Sequence, residues 1–199
     1  QPPVLQTLVG IDDQVPGEAP GVGFRMFGEG LSISSDARYV SFWGTWGFET
    51  FPKTLFCPTD GQAAVIAACL ELYPAGYAVN IPTNQGIFVV DATSGDIYTV
   101  AKTGANGITD FLYWVFSGAP PGVGGEIMGL DPFVDATAEP PRWRSSAFAA
   151  LSGSTGKVFQ TAFKAHRNGV DGIYVRKDAL TFSPLVTVAQ ILGSGTAID

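Results

Sequence analysis

His166 is the only histidine in the chain, and charged residues that suit catalysis lie close to it. Arg167 follows it directly, and Asp171 lies in the same segment, AHRNGVD. A histidine can act as a general base near neutral pH, and an arginine can neutralise a substrate carboxylate. One interpretation is a polysaccharide lyase, with His166 as base and Arg167 against a uronate. A solvated turn that touches no ligand is the simpler interpretation.

Aromatic residues flanked by glycine provide a second candidate site. Trp43 and Trp46 are each followed by glycine, which leaves room for a flat ligand to stack on an indole ring, as sugars do. With Glu49, Asp171 and Trp143 they form the predicted ligand-binding surface. Loops at one face of a rigid scaffold commonly carry such sites. Ordinary packing inside a sheet would explain both tryptophans without a ligand.

The sequence lacks the motifs of other common catalytic mechanisms. The sequence has no Gly-x-Ser-x-Gly, no His-Glu-x-x-His and no phosphate-binding glycine loop. Its acidic residues could supply oxygen ligands for calcium at two places, Asp12 and Asp13 with Glu18, or Asp91 with Asp96. Neither place has the spacing of an EF-hand, and a hairpin turn explains the second one better. We therefore predict no metal site and no cofactor, with calcium as the alternative.

The two cysteines, Cys57 and Cys69, lie in one segment without a CxxC motif. A local disulfide is the favoured interpretation, and two buried free thiols are the alternative. A disulfide of this loop length would stabilise the fold by roughly 3 kcal/mol. It would also indicate an extracellular or periplasmic protein, because reducing compartments disfavour disulfides.

The composition of the chain limits the classes of partner that we expect it to bind. The net charge of −7 argues against nucleic acid, which needs clustered lysine and arginine. No apolar run approaches the roughly 20 residues of a membrane span, so none is predicted. Charged residues make up only 15% of the 199 positions, which allows part of the surface to be covered by another copy or by a companion chain.

Short alternating segments predict two sets of four strands, each in meander order. β-branched and aromatic residues dominate these segments, and turn residues separate them. The first set comprises residues 31–34, 38–43, 85–91 and 96–101. The second comprises residues 147–152, 157–163, 172–175 and 187–189. Residues 62–71 have helical character with Asp60 as a candidate N-cap, residues 110–116 form a further predicted strand, and residues 165–171 a loop.

The segments LSISSDARYVSFWGTW and GIFVVDATSGDIYTVA together resemble the WD40-like repeat of TolB-type β-propellers. Ala37 stands where that family usually has glycine, and the second copy lacks the aspartate of the turn. The resemblance covers about half of the chain. It implies a β-propeller, a fold that serves binding proteins, peptidase gates, lyases and lectins alike.

We therefore predict an all-β fold built from propeller-like, four-stranded meander blades in a single domain, 1–199. Repeat one spans 24–102 with an insert at 48–84, an irregular connection spans 104–141, and repeat two spans 143–190. Two repeats are too few for a ring, since a propeller has at least about four blades. We expect a second copy or a companion chain to close it. An unclosed β-sandwich is the alternative.

The predicted function is that of a secreted binding protein of the propeller type, which recognises a glycan or a protein through its loop face. A polysaccharide lyase that uses His166 and Arg167 is one alternative. A structural subunit, covered by the partner chains of a larger assembly, is the other. Binding is favoured over catalysis because no complete catalytic set is recognisable.

Overall fold

The chain divides into two compact units in the computed structural model, which describes residues 5–117, 141–152, 160–176 and 186–187. Unit one comprises 1–50, 82–112 and 147–199, and unit two comprises 51–81 and 113–146. Most described residues lie in small antiparallel sheets, so the predicted all-β class is confirmed. In chain order the elements are β1 Phe24–Phe27, β2 Ser32–Ile33, β3 Tyr39–Trp46, β4 Thr50–Leu55, α1 Ala63–Leu72, β5 Tyr77–Pro82, β6 Gln85–Asp91, β7 Ile97–Lys102, β8 Ile108–Asp110, β9 Tyr113–Ser117, β10 Arg142–Ser146, β11 Ala149–Leu151, β12 Thr161–Arg167, β13 Val170–Arg176 and β14 Val186–Thr187.

Sheet one of unit one has the strand order β1-β3-β6-β7, and β2 pairs with β3 beside β1. The four strands predicted for the first repeat are therefore present, in meander order. Asp36 accepts a hydrogen bond from the backbone N–H of Arg38 (3.1 Å) in the turn before β3, as expected for an Asx turn. Ala37 has φ +56° in this turn, a left-handed conformation that glycine adopts more easily.

Sheet two of unit one has the order β11-β12-β13-β14, and β8 pairs with β12 beside β11. The predicted loop at 165–171 is wrong, because β12 continues to Arg167 and β13 begins at Val170. Only Asn168 (φ +51°) and Gly169 (φ +83°) form the turn between them. Asn-Gly favours such two-residue hairpin turns, which need positive φ at both positions. The single strand predicted at 110–116 is also wrong, since β8 ends before β9 begins.

An apolar layer joins the two sheets of unit one. Sheet one contributes Trp43 and Ile87, while Phe163 and Tyr174 come from sheet two, and all four are buried. The opposite face of sheet one holds a second cluster around Phe24 and Phe88, whose rings meet edge to face at 4.9 Å. Residues 8–27 supply its covering side chains. Sheet one is therefore buried on both faces.

A single buried amide connects strands and loops at the end of this core. Gln85 is fully buried, and its Oε1 accepts hydrogen bonds from Trp43 Nε1 (3.1 Å) and from the backbone N–H of Phe111 (3.2 Å). Its Nε2 donates to the carbonyl of Pro82 (2.8 Å). Both polar atoms of this amide therefore have hydrogen-bond partners, as buried polar groups in proteins generally do.

An ion pair fastens the hairpins of sheet one to each other. Arg38 Nε and Nη2 both donate to Oδ2 of Asp91, at 3.0 and 2.7 Å. Oδ1 of Asp91 accepts from the backbone N–H of Thr93 (2.8 Å). The hydrogen bond from Arg38 lowers the pKa of Asp91 below its ordinary 3.8, although burial of the carboxylate opposes this effect.

Unit two contains α1 and most residues of two two-stranded sheets, in which β4 pairs with β5 and β9 pairs with β10. Cys57 and Cys69 form the predicted disulfide, with Cα atoms 5.7 Å apart. Tyr73, at the end of α1, packs edge to face against Phe116 of β9 at 6.0 Å. The predicted helix is present, but its N-cap is Gln62 and no side chain caps it, so the capping role predicted for Asp60 is wrong. Within the described residues, no helix is long and apolar enough to cross a bilayer.

Replacing Gln85 with Leu should lower the free energy of unfolding by about 2–4 kcal/mol, because the buried N–H groups of Trp43 and Phe111 would lose their acceptor. Urea-induced unfolding monitored by tryptophan fluorescence measures this change. The exposed Gln62→Leu variant is the matched control and should change stability by less than about 0.5 kcal/mol. Equal effects of the two substitutions would contradict the role given to the amide.

Replacing Asp91 with Asn should destabilise the protein at neutral pH, because Arg38 loses its anionic partner. The depressed pKa of Asp91 means that its contribution is fully present above 3.8 and is lost as the pH falls through the lower folded value. The gap in stability between wild type and variant should therefore close in acid. Unfolding curves at neutral pH and below pH 3.8 test this, and a gap independent of pH would refute it.

Candidate functional site

The structure brings the predicted catalytic residue His166 and the predicted ligand-binding residue Asp171 together on one hairpin. His166 in β12 lies directly opposite Asp171 in β13, and Nδ1 of the imidazole is 3.2 Å from Oδ1 of the carboxylate. Both side chains reach solvent, with 31% and 67% of their surface exposed. A carboxylate in this position can orient an imidazole through the hydrogen bond between them.

Arg167 lies on the other face of the same hairpin. Successive side chains of a strand alternate between the faces of a sheet, so His166 and Arg167 point in opposite directions. The guanidinium of Arg167 lies 5.5 Å from the ring of Tyr174, which belongs to the core between the sheets. A histidine base and an arginine clamp for one substrate would need to share a face, and these two residues do not.

Trp43 and Trp46 belong to the core of unit one. Their exposed fractions are 4% and 5%, and being three residues apart on β3 they point to opposite faces of sheet one. Trp43 joins the layer between the sheets, whereas Trp46 packs 6.0 Å from Phe88 on the other side. Neither indole ring presents an open face to a ligand, so sheet packing accounts for both.

The last two predicted ligand-binding residues have structural contacts in different units. In unit one, Oε2 of Glu49 accepts hydrogen bonds from Asn84 Nδ2 (3.1 Å) and from the backbone N–H of Phe48 (3.2 Å). This ties together the two ends of the inserted segment. In unit two, Trp143 of β10 packs against Phe116, with ring centroids 5.6 Å apart.

The acidic residues considered for calcium have other partners. Asp13 accepts from the backbone N–H of Gly10 (2.6 Å), and Glu18 pairs with Lys102. Asp91 pairs with Arg38, and Asp96 accepts from the hydroxyl of Ser94 (2.7 Å) inside the predicted hairpin turn. Across the part of the chain that the structure describes, no three histidine, cysteine or acidic side chains are grouped to hold a metal ion.

A cleft of about 470 Å³ lies within unit one beside β7, the edge strand of sheet one. Its wall is formed by residues of that strand, including Ile97, Tyr98, Thr99 and Ala101. Burial raises the pKa of the Tyr98 phenol, so this group stays protonated at physiological pH. The wall thus offers an aromatic ring and apolar surface together with hydroxyl groups.

One rim of the cleft is a turn that a single side chain organises. Gln14 Nε2 donates to the carbonyls of Val15 (3.1 Å) and Ala19 (3.1 Å), and its Oε1 accepts from the backbone N–H of Gly21 (2.9 Å). Pro16 and Gly17, inside this turn, line the cleft. Hydrogen bonds from the side chain of Gln14 therefore fix the conformation of this turn.

Two contacts fix this rim to the wall of the cleft. Lys102 Nζ lies 2.5 Å from Oε1 of Glu18, and the hydroxyl of Thr99 donates to the carbonyl of Pro16 (3.5 Å). Both partners on the rim belong to the turn, and both partners on the wall belong to β7. The spacing between rim and wall is therefore set without a ligand.

The loop after β7 forms the other rim, and Arg167 holds it. Ala105 and Asn106 line the cleft, and Asn106 has φ +56°, as suits the first residue of an Asn-Gly turn. Arg167 Nε donates to the carbonyl of Asn106 (2.7 Å), and the backbone N–H of Asn168 donates to the carbonyl of Gly107 (2.9 Å). Arg167, predicted as a catalytic residue, thus positions this rim.

Arg176, at the end of β13, completes the lining with a buried positive charge. Only 8% of the residue is exposed, and its Nε is sealed from solvent without a hydrogen-bond partner. Burial lowers the pKa of its guanidinium. The group still carries its charge at neutral pH, because its ordinary pKa is far higher.

The cleft-lining residues were missed because each looks ordinary in the sequence. The clearest available signal is the period of two along β13, which puts Arg176 on the same face as the core residue Tyr174. An arginine on the buried face of a strand is unusual enough to indicate a site. Tyr98 and Asn106 give no comparable signal, since strands and turns commonly contain them.

Comparison of the chain with protein-family models, with curated proteins and with solved structures found no match in any of the three. The residues of unit one and their geometry are therefore the basis for assigning a function.

Replacing Arg167 with Met should loosen the rim at Asn106 without unfolding unit one. We expect amide hydrogen exchange at Gly104 and Ile108, whose N–H groups bond within this loop, to speed up about five-fold for one lost hydrogen bond. Exchange measured residue by residue by NMR gives the result. His166→Met, on the opposite face, is the control and should leave these two amides unchanged. Acceleration in both variants would mean that Arg167 does not hold the rim.

Proposed function

We propose that the protein is a secreted binding protein of the β-propeller type and that the cleft beside β7 holds its ligand. The observation that carries this proposal is a preformed cleft, with both rims fixed by hydrogen bonds and an ion pair, and with a buried arginine in its lining. Its volume falls within the range of small-molecule sites in proteins. A small ligand or the end of a glycan fits this scale better than a protein surface does.

Binding is favoured over catalysis by the types of residue around the cleft. Among the lining residues that the structure describes there is no histidine, cysteine or acidic residue. Histidine, cysteine and carboxylates are the commonest acid–base and nucleophilic groups, and Lys102, which could also act in this way, is paired with Glu18. The ring of Tyr98 offers a surface on which a sugar can stack, and hydroxyl and amide groups nearby can bond to it.

The arrangement of strands and the disulfide support the remaining parts of the proposal. Two antiparallel four-stranded meanders pack face to face in unit one, as neighbouring propeller blades do. The Cys57–Cys69 disulfide is typical of proteins outside reducing compartments. Closure of a ring by a second copy or a companion chain remains part of this proposal, and light scattering that finds only a folded monomer would contradict closure by a second copy.

A polysaccharide lyase remains the second candidate because His166 and Asp171 form a close pair. The candidate is weaker, since Arg167 lies on the other face and cannot neutralise the carboxylate that His166 would need beside it. Turnover of a uronate-containing polysaccharide by the wild type, lost in His166→Ala, would establish the lyase. Turnover that survives this substitution would rule out His166 as the base.

Filling the cleft should abolish binding. We expect Ala105→Trp to remove the NMR shift changes that a bound ligand causes at Tyr98 and Asn106, because the indole occupies the space between rim and wall. A panel of mono- and oligosaccharides, acidic and neutral, titrated into the ¹⁵N-labelled protein provides the ligands. Ala150→Trp, at an exposed position of β11, is the matched control and should bind as the wild type does. Unchanged binding by Ala105→Trp would place the site elsewhere.

A further inference from the structure

Arg176 is charged, nine-tenths buried and without a partner among the described residues. Its residue surface is 8% exposed, no acidic side chain of the described residues pairs with it, and its Nε has no hydrogen-bond partner among them. A buried charge without a partner costs several kcal/mol, so proteins rarely keep one without compensation. Because Arg176 is one of the residues that line the cleft, a molecule bound there can supply the missing partner.

The neighbouring groups leave this charge uncompensated. Lys102, the other cation of the lining, is already neutralised by Glu18 at 2.5 Å. Thr161 lies directly opposite Arg176 in the register of β12 and β13, but its buried hydroxyl is also without a partner. The other described lining side chains are uncharged. The cleft therefore presents one net positive charge, in a chain whose net charge is −7.

We propose that the ligand of this cleft carries one carboxylate and that Arg176 binds it. This inference rests on the proposed function and specifies the chemistry of the ligand. A guanidinium matches a carboxylate with two parallel hydrogen bonds, and their charges cancel one for one. A phosphate monoester would bring up to two negative charges, which exceeds what the lining compensates. The apolar and aromatic wall then contacts the body of the ligand.

Two kinds of molecule supply this chemistry, a uronic acid of an acidic glycan and a simple aromatic or aliphatic acid. The probes separate the two. D-Glucuronate is compared with its neutral methyl ester, and benzoate is compared with benzyl alcohol, all at equal ionic strength. The readouts are NMR shift changes at Tyr98 and Asn106 and the increase in melting temperature, because a ligand that binds only the folded state stabilises it.

The wild type should bind an acid at least about ten-fold more tightly than its neutral counterpart, since only the acid pairs with the buried charge. Preference for glucuronate would identify an acidic sugar as the ligand, and preference for benzoate would identify a simple organic acid. Either preference supports the carboxylate. Equal binding of acid and neutral partner, blocked by Ala105→Trp, would overturn the carboxylate while leaving the proposed cleft in place.

Arg176→Met tests the residue itself. The variant should lose about ten-fold or more in affinity for the acid while the neutral partner binds as before. Without ligand it should be at least as stable as the wild type, because an unpaired buried charge has been removed. Thr161→Val is the matched control and should bind acids as the wild type does, since its hydroxyl is sealed from the cleft.

Two further results would overturn the inference. If Arg176→Met keeps the preference for acids, another group binds the carboxylate. If no probe, acidic or neutral, changes the signals of the cleft, both the inference and the proposed function fail. Should Arg176→Met not fold, the comparison of acid and ester in the wild type still decides the chemistry, and Arg176→Lys, which keeps the charge without the two parallel donors, should bind the acid less tightly than the wild type.

Discussion

Unit one depends on the apolar layer in which its two sheets meet. Trp43 and Ile87 on one side and Phe163 and Tyr174 on the other exclude water from both sheets at once. The hydrophobic effect stabilises this packing in proportion to the apolar area removed from water. The same layer fixes where β7 and β13 lie, so it determines the position of the wall of the cleft and of Arg176. The proposed site at the edge of sheet one therefore lies on strands that a buried core holds in place.

The polar groups of the two rims of the cleft have hydrogen-bond partners, whereas one buried polar group in its lining has none. Hydrogen bonds between side chains and the backbone hold both rims, from Gln14 on one side and from Arg167 on the other. Arg176 is the exception, since it lines the cleft and buries its Nε without a hydrogen-bond partner among the described residues. Departures of this kind concentrate at functional sites, where stability is exchanged for binding.

Local patterns predicted four strands of sheet one well, β2, β3, β6 and β7. Alternation along β3 and β6, together with turn residues such as Asp36, depends only on neighbours in sequence. The same patterns misplaced the candidate site, because they do not state which face of a strand is buried. The period of two separates Trp43 from Trp46 and His166 from Arg167, and applying it strictly would have excluded a surface shared by either pair.

The pairing of distant segments had no local signal. Unit two joins residues 51–81 with residues 113–146, which the sequence presents as an insert and an irregular connection. Contacts such as that between Tyr73 and Phe116 depend on shape and burial in three dimensions, and neither residue type indicates its partner. The cleft was missed for the same reason, since its lining comes from three separate parts of the chain.

The covering of sheet one by residues 8–27 makes the two outer faces of unit one different. One outer face is sealed by the cluster around Phe24, whereas on the outer face of sheet two Ile173 remains 56% exposed. The segment before β1 thus already buries the apolar side chains on that face, so a further sheet is not needed to shield them from water.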